Sequence, residues 1–393
     1  MIFVYIVLGA ALAVLALPAA YLLLLTFAGL FVRRKADQSS VAPDTKFAIL
    51  VPAHNEATLL PLLLESVRKN DYPVELYEVF VVADNCTDST AEIGRRLGAV
   101  VYERSEAQLR GKPHALKWLI GQLAERSKEF DAYLFLDADS QVSSNFLAAM
   151  DRNLRDGYQA VQSYYAVSNP AASSLSALRY IAFVLKHNVR PMGKRALGLS
   201  CGLFGTGMAF SREIIERYGW ESFTLAEDIE HFMKLTSDGV VVRFAHEAVL
   251  WSDMPTSFEE ARGQNLRWER GRLDMARRFS LRFLVEGLLR GDMRKVDAAI
   301  EQLIPPMSIT YAAGALLLLL TLPTSQPWLI GLGVAVNAAL LAHLVLGLIT
   351  ARAPLAVYKA FAFAPVFIAW KLLIYVQAIA LKELAWVRTQ RPQ

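Results

Sequence analysis

Charged side chains are absent from two long stretches of this 393-residue chain. Residues 1–32 contain no Asp, Glu, Lys or Arg, and residues 303–351 contain none either. A helix needs about 20 apolar residues to cross a bilayer, so the first stretch predicts one spanning helix. The second stretch predicts two, with the turn between Pro323 and Pro327. A cleaved signal peptide is the alternative for the first stretch, but no basic residue precedes its apolar run.

Cysteine and net charge are also scarce. The chain has 2 cysteines, Cys86 and Cys201, and a formal net charge of +4. So few cysteines fit a reducing compartment and exclude a cysteine metal site. So small a charge gives no indication of nucleic acid binding, and we expect no nucleic acid partner. A dinucleotide-dependent oxidoreductase would carry Gly-x-Gly-x-x-Gly after the first strand, where this chain has Pro52-Ala53-His54 instead.

Basic residues set the expected orientation of the apolar stretches. The cluster at 33–35 directly follows the first stretch and predicts that the chain beyond it is cytoplasmic. Residues 354–385 form a further apolar segment, which is long enough to span but carries Lys371 near its middle, a costly residue in lipid. The basic tail at 382–391 favours a cytoplasmic C-terminus, which a fourth full span would place outside. We therefore predict a tilted, re-entrant or interfacial last segment and leave a spanning helix as the alternative.

Residues 46–269 have the pattern of an α/β domain. Apolar runs of strand length, such as 47–51, 79–83, 99–102 and 133–136, alternate with segments of helical spacing. This alternation predicts a mostly parallel sheet with helices on its faces. Ligands bind beyond the carboxyl ends of such strands, and polar clusters follow these runs. The clusters are His54-Asn55-Glu56, Asp84 to Asp88, and Asp137-Ala138-Asp139.

Acidic residues in this domain indicate chemistry. Side chains on a strand alternate faces, so Asp137 and Asp139 are expected to share one. Two such carboxylates suit a hard divalent cation, which can neutralise a diphosphate leaving group. Downstream, Glu227 and Asp228 could supply a general base, although an acidic pair is also typical of a helix N-terminus.

A third motif lies further along the chain. Gln264, Arg267 and Trp268 have helical spacing, which puts Gln264 on one face with Arg267 or Trp268. They offer a cation and an aromatic platform. Residues 270–300 then mix arginines with leucines and phenylalanines, which predicts amphipathic helices on the membrane face, with an ordinary surface helix as the alternative.

Six motifs occur in an order that resembles membrane family 2 glycosyltransferases. The similar branch holds the cellulose, hyaluronan, chitin-oligosaccharide and poly-N-acetylglucosamine synthases and ceramide glucosyltransferase. A lone Asp-x-Asp would be weak, but the ordered set is specific. The motifs are Pro52-Ala53-His54-Asn55-Glu56, Asp84 with Thr87-Asp88, Gly111-Lys112, Asp137-Ala138-Asp139, Glu227-Asp228 and Gln264-x-x-Arg267-Trp268.

The resemblance implies a GT-A-type nucleotide-sugar-binding fold and a donor site. By resemblance, the uridine is contacted by Pro52, His54, Asn55, Glu56 and Asp84. It further implies Lys112 near the diphosphate, Asp137 at the donor sugar or ribose, and Asp139 as the ligand of Mg²⁺ or Mn²⁺. The chain departs from the usual acidic and serine residues of the second loop at Asn85, Cys86 and Thr87.

The same resemblance assigns the acceptor side. Asp228 is the expected general base, with Glu227 beside it. Arg267 is expected at the leaving diphosphate and Trp268 against an acceptor sugar, with Gln264 in the same motif. Gly205 and Gly207 are expected to line the acceptor cavity, although a plain turn is the alternative there.

These expectations combine into one functional prediction. The chain is predicted to be an integral protein of the bacterial inner membrane with a cytoplasmic catalytic domain, in contact with membrane lipids. It is expected to be a metal-dependent inverting transferase that moves a sugar from a UDP-sugar to a growing β-linked glycan. The alternative acceptor is a membrane lipid of the ceramide, hopanoid or polyprenyl kind. A non-enzymatic nucleotide-binding protein and a transporter are disfavoured, because acidic residues occupy every expected position and the clear C-terminal spans lack charge.

Overall fold

The computed structural model describes residues 1–32 and 42–381. The residues behind the orientation argument lie outside these ranges, so that argument stays a prediction. They are Arg33, Arg34, Lys35, Lys382, Arg388 and Arg391.

Eight strands form one sheet. They are β1 Phe47–Ala53, β2 Tyr77–Asp84, β3 Val100–Arg104, β4 Ala132–Phe135, β5 Ser140–Val142, β6 Ala160–Val167, β7 Met208–Ser211 and β8 Val242–Ser252.

Along the sequence, α-helices precede, alternate with and follow these strands. They are α1 Ile2–Leu30, α2 Leu60–Arg68, α3 Thr90–Arg96, α4 Lys112–Gln122, α5 Phe146–Arg155, α6 Ser174–Val184, α7 Arg190–Ala196, α8 Arg212–Tyr218, α9 Glu227–Ser237, α10 Phe258–Met275, α11 Leu281–Arg290, α12 Met293–Leu303, α13 Met307–Thr321, α14 Pro327–Thr350, α15 Leu355–Lys359 and α16 Ala364–Ala380. Helical turns at Leu185–Val189 and Ala276–Ser280 join α6 to α7 and α10 to α11.

The described residues divide into two compact units. The sheet unit contains all eight strands, with residues 42–169 and 200–254. The helical unit contains α1, residues 170–199 and residues 255–381.

The sheet unit has a mostly parallel sheet, as predicted. The strand order is β3-β2-β1-β4-β7-β6-β8-β5. Strands β3, β2, β1 and β4 are neighbours in that order and run parallel to one another, and β6 is parallel to β8. Strand β7 is antiparallel to β4 and β6, and β5 is antiparallel to β8. The polar ends of β1, β2 and β4 therefore lie at one edge of the sheet.

Burial on both faces explains why β1 is a continuous apolar run. Ile49 and Val51 pack into the core with Leu60 and Leu63 of α2, while Leu50 is equally buried on the opposite face. A parallel sheet covered on both faces needs apolar residues at successive positions instead of alternation.

The turn after β4 corrects one sequence argument. Strand β4 ends at Phe135, and the backbone N–H of Ser140 donates to the carbonyl oxygen of Asp137 at 3.1 Å. Asp137 and Asp139 therefore lie in a turn, so strand alternation does not orient them. Leu136 still donates its backbone N–H to the carbonyl oxygen of Leu50 at 3.0 Å, but the N–H of Asp137 bonds to the Thr206 hydroxyl, so the ladder does not continue through the two acidic residues and the prediction was wrong.

Four segments of the described residues are long and apolar enough to cross a membrane. They are Ile2–Leu30, Met307–Thr324, Pro327–Thr350 and Leu355–Ala380. The last one contains Lys371, which is buried and pairs with Glu269 of α10 instead of facing lipid. That pairing removes the sequence-based objection to a span, and the choice between spanning and re-entrant remains a prediction.

Helix α7 packs directly against the backbone of α1 at Gly193. A Cβ atom built there would lie 2.6 Å from the carbonyl carbon of Leu25 and 2.7 Å from its Cα. Because these are backbone atoms of a helix, they cannot move aside as a flexible side chain can. The glycine is thus required by close approach of two helices.

We expect Gly193→Ala to destabilise the protein by about 1–3 kcal/mol or more through overpacking. The measurement is thermal unfolding of the detergent-purified protein. Gly331→Ala in α14 is the matched control, because no atom lies within 4 Å of its added Cβ. Equal melting temperatures for the two variants would contradict this account of α1 and α7.

Candidate active site

The loops after β1 and β2 are joined by hydrogen bonds. The ring of His54 bonds through Nδ1 to the carbonyl oxygen of Asp84 at 2.7 Å, and the Asn55 side chain accepts from the backbone N–H of Thr87 at 2.7 Å. Asn55 and Asn85 both adopt left-handed backbone conformations, which asparagine tolerates better than most residues. The segment from Pro52 to Glu56 is therefore held against the segment that follows Asp84.

The residues that depart from the family pattern take part in this loop contact. The thiol of Cys86 donates to the carbonyl oxygen of Ala53 at 3.5 Å. The backbone N–H of Glu56 donates to the hydroxyl of Thr90 at 2.8 Å. Asp88, which precedes the first turn of α3, accepts from the Thr90 backbone N–H at 3.0 Å and from the Thr90 hydroxyl at 2.5 Å.

Asp84 is the last residue of β2 and is buried. Its carboxylate pairs with Arg104 at 2.5 Å and accepts from the side chain of Asn85 at 3.0 Å. The Asp84 carboxylate is therefore held by a buried ion pair at the end of the strand. Arg104 was missed from the sequence because the third strand was expected to end at Tyr102, whereas β3 continues and places Arg104 in register with Asp84.

Lys112 connects three segments of the site. It is the first residue of α4, and its Nζ donates to Asp137 Oδ1 at 2.5 Å and to the carbonyl oxygen of Gly205 at 2.6 Å. The Thr206 hydroxyl in turn accepts from the backbone N–H of Asp137 at 3.0 Å. The loop with Gly205 is thus attached to the Asp137 turn, which argues against a plain surface turn.

Two glycines allow this loop to run so close to its neighbours. Gly205 and Gly207 both have positive φ, a conformation that favours glycine. A Cβ on Gly205 would lie 3.6 Å from Asp228 Oδ2 and 3.9 Å from Lys112 Nζ. At Gly207 a Cβ would collide with the hydroxyl of Ser163.

An acidic pair opens helix α9, as the sequence indicated. Glu227 and Asp228 are its first two residues, and Asp228 Oδ1 accepts from the backbone N–H of Ile229 at 2.8 Å. Burial and the nearby charge of Asp228 raise the pKa of Glu227 to about 7. Burial opposes the charged form of Lys112, but the charges of Asp137, Glu227 and Asp228 outweigh it and raise the Lys112 pKa.

The donor set of this site fits a divalent cation completed by substrate. Asp139 shares the turn with Asp137, and three carboxylates, Asp137, Glu227 and Asp228, act on the single ammonium of Lys112. Over residues 1–32 and 42–381, no group of three or more His, Cys, Asp or Glu side chains is gathered to hold a metal. Mg²⁺-type ions typically take one or two carboxylates plus phosphate oxygens, so a partial protein ligand set suits them.

The third motif lies on α10 in the helical unit. Arg179 of α6 donates to Gln264 Oε1 at 2.5 Å, and its guanidinium lies 5.3 Å from the ring centroid of Trp268. Phe183 also contacts Trp268, at 5.9 Å between ring centroids. Trp268 keeps 38% of its surface exposed, which leaves a platform for a ligand, and Arg267 is half-buried.

The structure thus gathers the predicted residues into two sets. The sheet-unit set is Pro52, His54, Asn55, Glu56, Asp84, Lys112, Asp137, Asp139, Gly205, Gly207, Glu227 and Asp228. Gln264, Arg267 and Trp268 belong to the helical unit. Arg179 is the notable residue that sequence reasoning missed, and its only signal was a charge within an otherwise apolar helix.

The raised pKa of Glu227 predicts a pH-dependent stability. Between its ordinary pKa of 4.5 and its folded value of about 7, the folded protein holds a proton that the unfolded chain has lost. Stability should therefore fall as pH rises through this window, by at most about 3 kcal/mol.

Thermal unfolding in EDTA across that window tests this prediction. The fall should be absent from Glu227→Gln and retained in Glu92→Gln, which changes an exposed acid on α3. If the melting temperatures of wild type and Glu227→Gln changed in parallel with pH, Glu227 would not be the titrating group.

Three comparisons relate this geometry to known proteins. A family model described as "Glycosyltransferase like family 2" matches residues 43–271. The probable glycosyltransferase YdaM of Bacillus subtilis is 26% identical over 243 residues, which cover 61% of this chain and 58% of that protein. A beta-monoglucosyldiacylglycerol synthase of a Nostoc species is 27% identical over 216 residues, covering 53% of this chain and 45% of that protein. The chain thus matches about half the length of these curated relatives.

A solved structure supports the fold. The chain is similar to a mannosyltransferase from Pyrobaculum calidifontis solved with GDP-mannose and Mn²⁺, with a TM-score of 0.54 and 22% identity. The likeness covers 96% of this chain and 100% of that one, and at this identity it shows the fold alone. Because the family match covers more than half of the residues, the chain belongs to the family 2-like glycosyltransferases, and its sheet unit has the GT-A fold predicted from the motifs.

Proposed function

We propose that this protein is a membrane-bound inverting glycosyltransferase that moves one sugar from a UDP-sugar to a membrane lipid. The observation that supports sugar transfer is the contact of Lys112 with both Asp137 and the Gly205 loop, beside the acidic pair of α9. These residues place a cation for a diphosphate next to carboxylates that can accept a proton. The lipid acceptor was the alternative in the sequence analysis, and growing-glycan extension is now the second candidate.

The donor would be held by the edge of the sheet. His54, Asn55 and Asp84 lie in two loops that hydrogen-bond to one another, which gives a fixed rim for a nucleoside. Arg104 orients the Asp84 carboxylate through a buried ion pair, and that carboxylate could accept from the base or ribose. The choice of uridine rests on the family resemblance.

Lys112 would bind the diphosphate, because an ammonium is a compact charge suited to phosphate oxygens. It would exchange its present contact with Asp137 for the ligand. Asp137 would then be available to the donor sugar or ribose.

Asp228 is the proposed general base. Inversion requires the acceptor hydroxyl to attack the anomeric carbon from the side opposite the leaving diphosphate, and a carboxylate takes its proton. Burial and the charge of Asp228 raise the pKa of Glu227 to about 7, so Glu227 keeps a proton to higher pH than an ordinary glutamate does. The N-terminus of α9 stabilises the negative charge of Asp228.

Asp139 is the proposed protein ligand of Mg²⁺ or Mn²⁺. Such an ion, when bound, would neutralise charge that develops on the leaving diphosphate. The ammonium of Lys112 would also neutralise charge on the leaving diphosphate, and Arg267 is proposed to assist it.

A lipid acceptor is supported by the surroundings of the third motif. Helix α10, with Gln264 and Trp268, packs against the apolar segment Leu355–Ala380 within the helical unit. The Nostoc relative is named as a synthase of a glycolipid, and the resemblance includes ceramide glucosyltransferase. Trp268 would stack on the acceptor, and Gly205 and Gly207 are proposed to line its cavity.

Helix α11 supports contact with the membrane surface. Leu281, Val285, Leu288 and Leu289 recur at helical spacing and are 47–82% exposed, whereas Phe283 on the other side is buried. Exposed apolar residues on one face, flanked by arginines, are typical of an interfacial helix. We propose that this face lies on the cytoplasmic leaflet of a bacterial inner membrane.

Transfer itself is the test of this function. Purified protein in lipid with Mn²⁺ is given labelled UDP- and GDP-sugars and extracted lipids, and products are partitioned and sized. Asp228→Asn should bind UDP as wild type does yet lose transfer by at least about a hundredfold, while Glu92→Gln transfers normally. Label in the organic phase with one sugar per acceptor supports the proposal, and a water-soluble or insoluble ladder supports glycan extension. Near-normal turnover by Asp228→Asn would exclude it as the base.

Metal removal gives a separate prediction. EDTA should abolish transfer and weaken UDP binding by about tenfold or more, because the diphosphate loses its bridging cation. Mn²⁺ or Mg²⁺ should restore both. In Asp139→Asn, UDP binding should be weak with or without the metal, and unchanged metal dependence in that variant would remove Asp139 as the ligand.

A further inference from the structure

Lys371 is a buried lysine in the middle of an apolar segment, and its contacts all point to one helix. Its Nζ pairs with Glu269 Oε1 at 2.8 Å and donates to Asn265 Oδ1 at 2.7 Å. Only 8% of Lys371 and 5% of Asn265 is exposed. Both partners lie on α10, the helix that carries Gln264, Arg267 and Trp268.

The two contacts occupy the row of α10 next to the motif. Asn265 directly follows Gln264, and Glu269 directly follows Trp268. Because each of these two pairs of positions is one turn apart, Asn265 and Glu269 form a row beside the row of Gln264 and Trp268. Arg179 holds the Gln264–Trp268 row, and Lys371 holds the adjacent row. A rotation of α10 about its axis would have to break one of these sets of bonds.

The apolar packing between the same two helices does not fix that rotation. Leu266 packs with Ile374 and Ala378, and Phe258 stacks near Trp370 at 4.9 Å between ring centroids. Apolar contacts are non-directional and tolerate a small turn of the helix. Hydrogen bonds to a charged group are directional, and breaking a buried pair leaves an uncompensated charge.

We propose that Lys371 is a positioning residue for the acceptor motif. By bonding Asn265 and Glu269, it fixes the rotation of α10 and with it the direction of Gln264, Arg267 and Trp268. Arg272 reinforces the arrangement, because it pairs with Glu269 at 3.1 Å and donates to the carbonyl oxygen of Ile304 at 2.9 Å. The inference rests on the proposed function only in naming the motif as the acceptor side.

A double substitution separates positioning from simple stability. Lys371→Met alone leaves Glu269 buried without its lysine and can unfold the protein. Lys371→Met with Glu269→Met replaces the lysine and its carboxylate by apolar side chains of similar length, an exchange that is often tolerated. Arg272 loses Glu269 in this variant but keeps its bonds to the carbonyl oxygens of Gln302 and Ile304. Lys371→Arg keeps the charge and both donors. Lys359→Met is the matched control, because it changes an exposed lysine in the same apolar segment.

The kinetic test compares donor and acceptor parameters. The double variant should melt near wild type and keep its KM for the UDP-sugar, while kcat/KM for the acceptor falls by about tenfold to a hundredfold through misplaced groups. Lys371→Arg should recover most of that loss, and Lys359→Met should show none. Wild-type acceptor kinetics in the double variant, or a parallel loss of donor binding, acceptor binding and melting temperature, would overturn the proposal.

Hydrogen–deuterium exchange tests the same positioning without turnover. Backbone exchange in residues 260–272 should accelerate in the double variant and stay at wild-type level in Lys359→Met. Unchanged exchange would overturn the role of Lys371 whether or not the wild type transfers sugar. If the wild type transfers nothing while exchange still responds to Lys371, the proposed function fails and the positioning role stands.

Discussion

The candidate active site depends on one ammonium group placed among carboxylates. Lys112 contacts Asp137 and the Gly205 carbonyl oxygen, and its charge is favoured by Glu227 and Asp228 despite partial burial. Without Lys112 the turn after β4, the glycine loop and the start of α9 would bring like charges together with nothing between them. Even with Lys112 the site holds more negative than positive charge. Burial of Glu227, together with the charge of Asp228, raises the pKa of Glu227 to about 7. This excess of negative charge favours the binding of a further cation. A diphosphate could then bind together with that cation.

Much of the fold could be predicted because burial on both faces leaves a clear pattern in the sequence. The apolar runs at 47–51 and 79–83 became β1 and β2, and the polar loops do follow their carboxyl ends. Strand ends were harder to predict, because an apolar run does not show where the backbone bonds of the ladder stop. The strand that begins at Tyr133 was extended into Asp137 and Asp139, which lie in a turn. The end of β3 was placed too early for a similar reason, since Glu103 and Arg104 look like loop residues although both pair with β2.

The chemistry-bearing residues could be named from the sequence, but their partners could not. Motif order identifies Asp84, Lys112 and the Gln264 motif, because family members share these residues. Arg104 and Arg179 belong to no motif, and their roles arise from contacts across 20 and 85 residues of chain. Such long-range pairs depend on strand register and helix packing, which periodicity does not specify. The loop residues Cys86 and Thr87 show the same limit: as departures from the family pattern they left the base contacts open, yet in the structure they bind the two loops together.

Lys371 shows how a charge within an apolar segment should be interpreted. From sequence alone, its cost in lipid argues against a conventional span, because an unpaired ammonium in hydrocarbon is strongly disfavoured. In the structure the ammonium is paired with Glu269 and Asn265, which removes that cost. The charge therefore indicates that the residue has a polar partner, and it does not indicate how deep the residue lies in the membrane. A polar helix must then cover one face of the apolar segment, since a lysine surrounded by lipid would have no such partner. The ammonium of Lys371 thus gives an apolar segment a polar attachment to α10, and the motif lies on that helix.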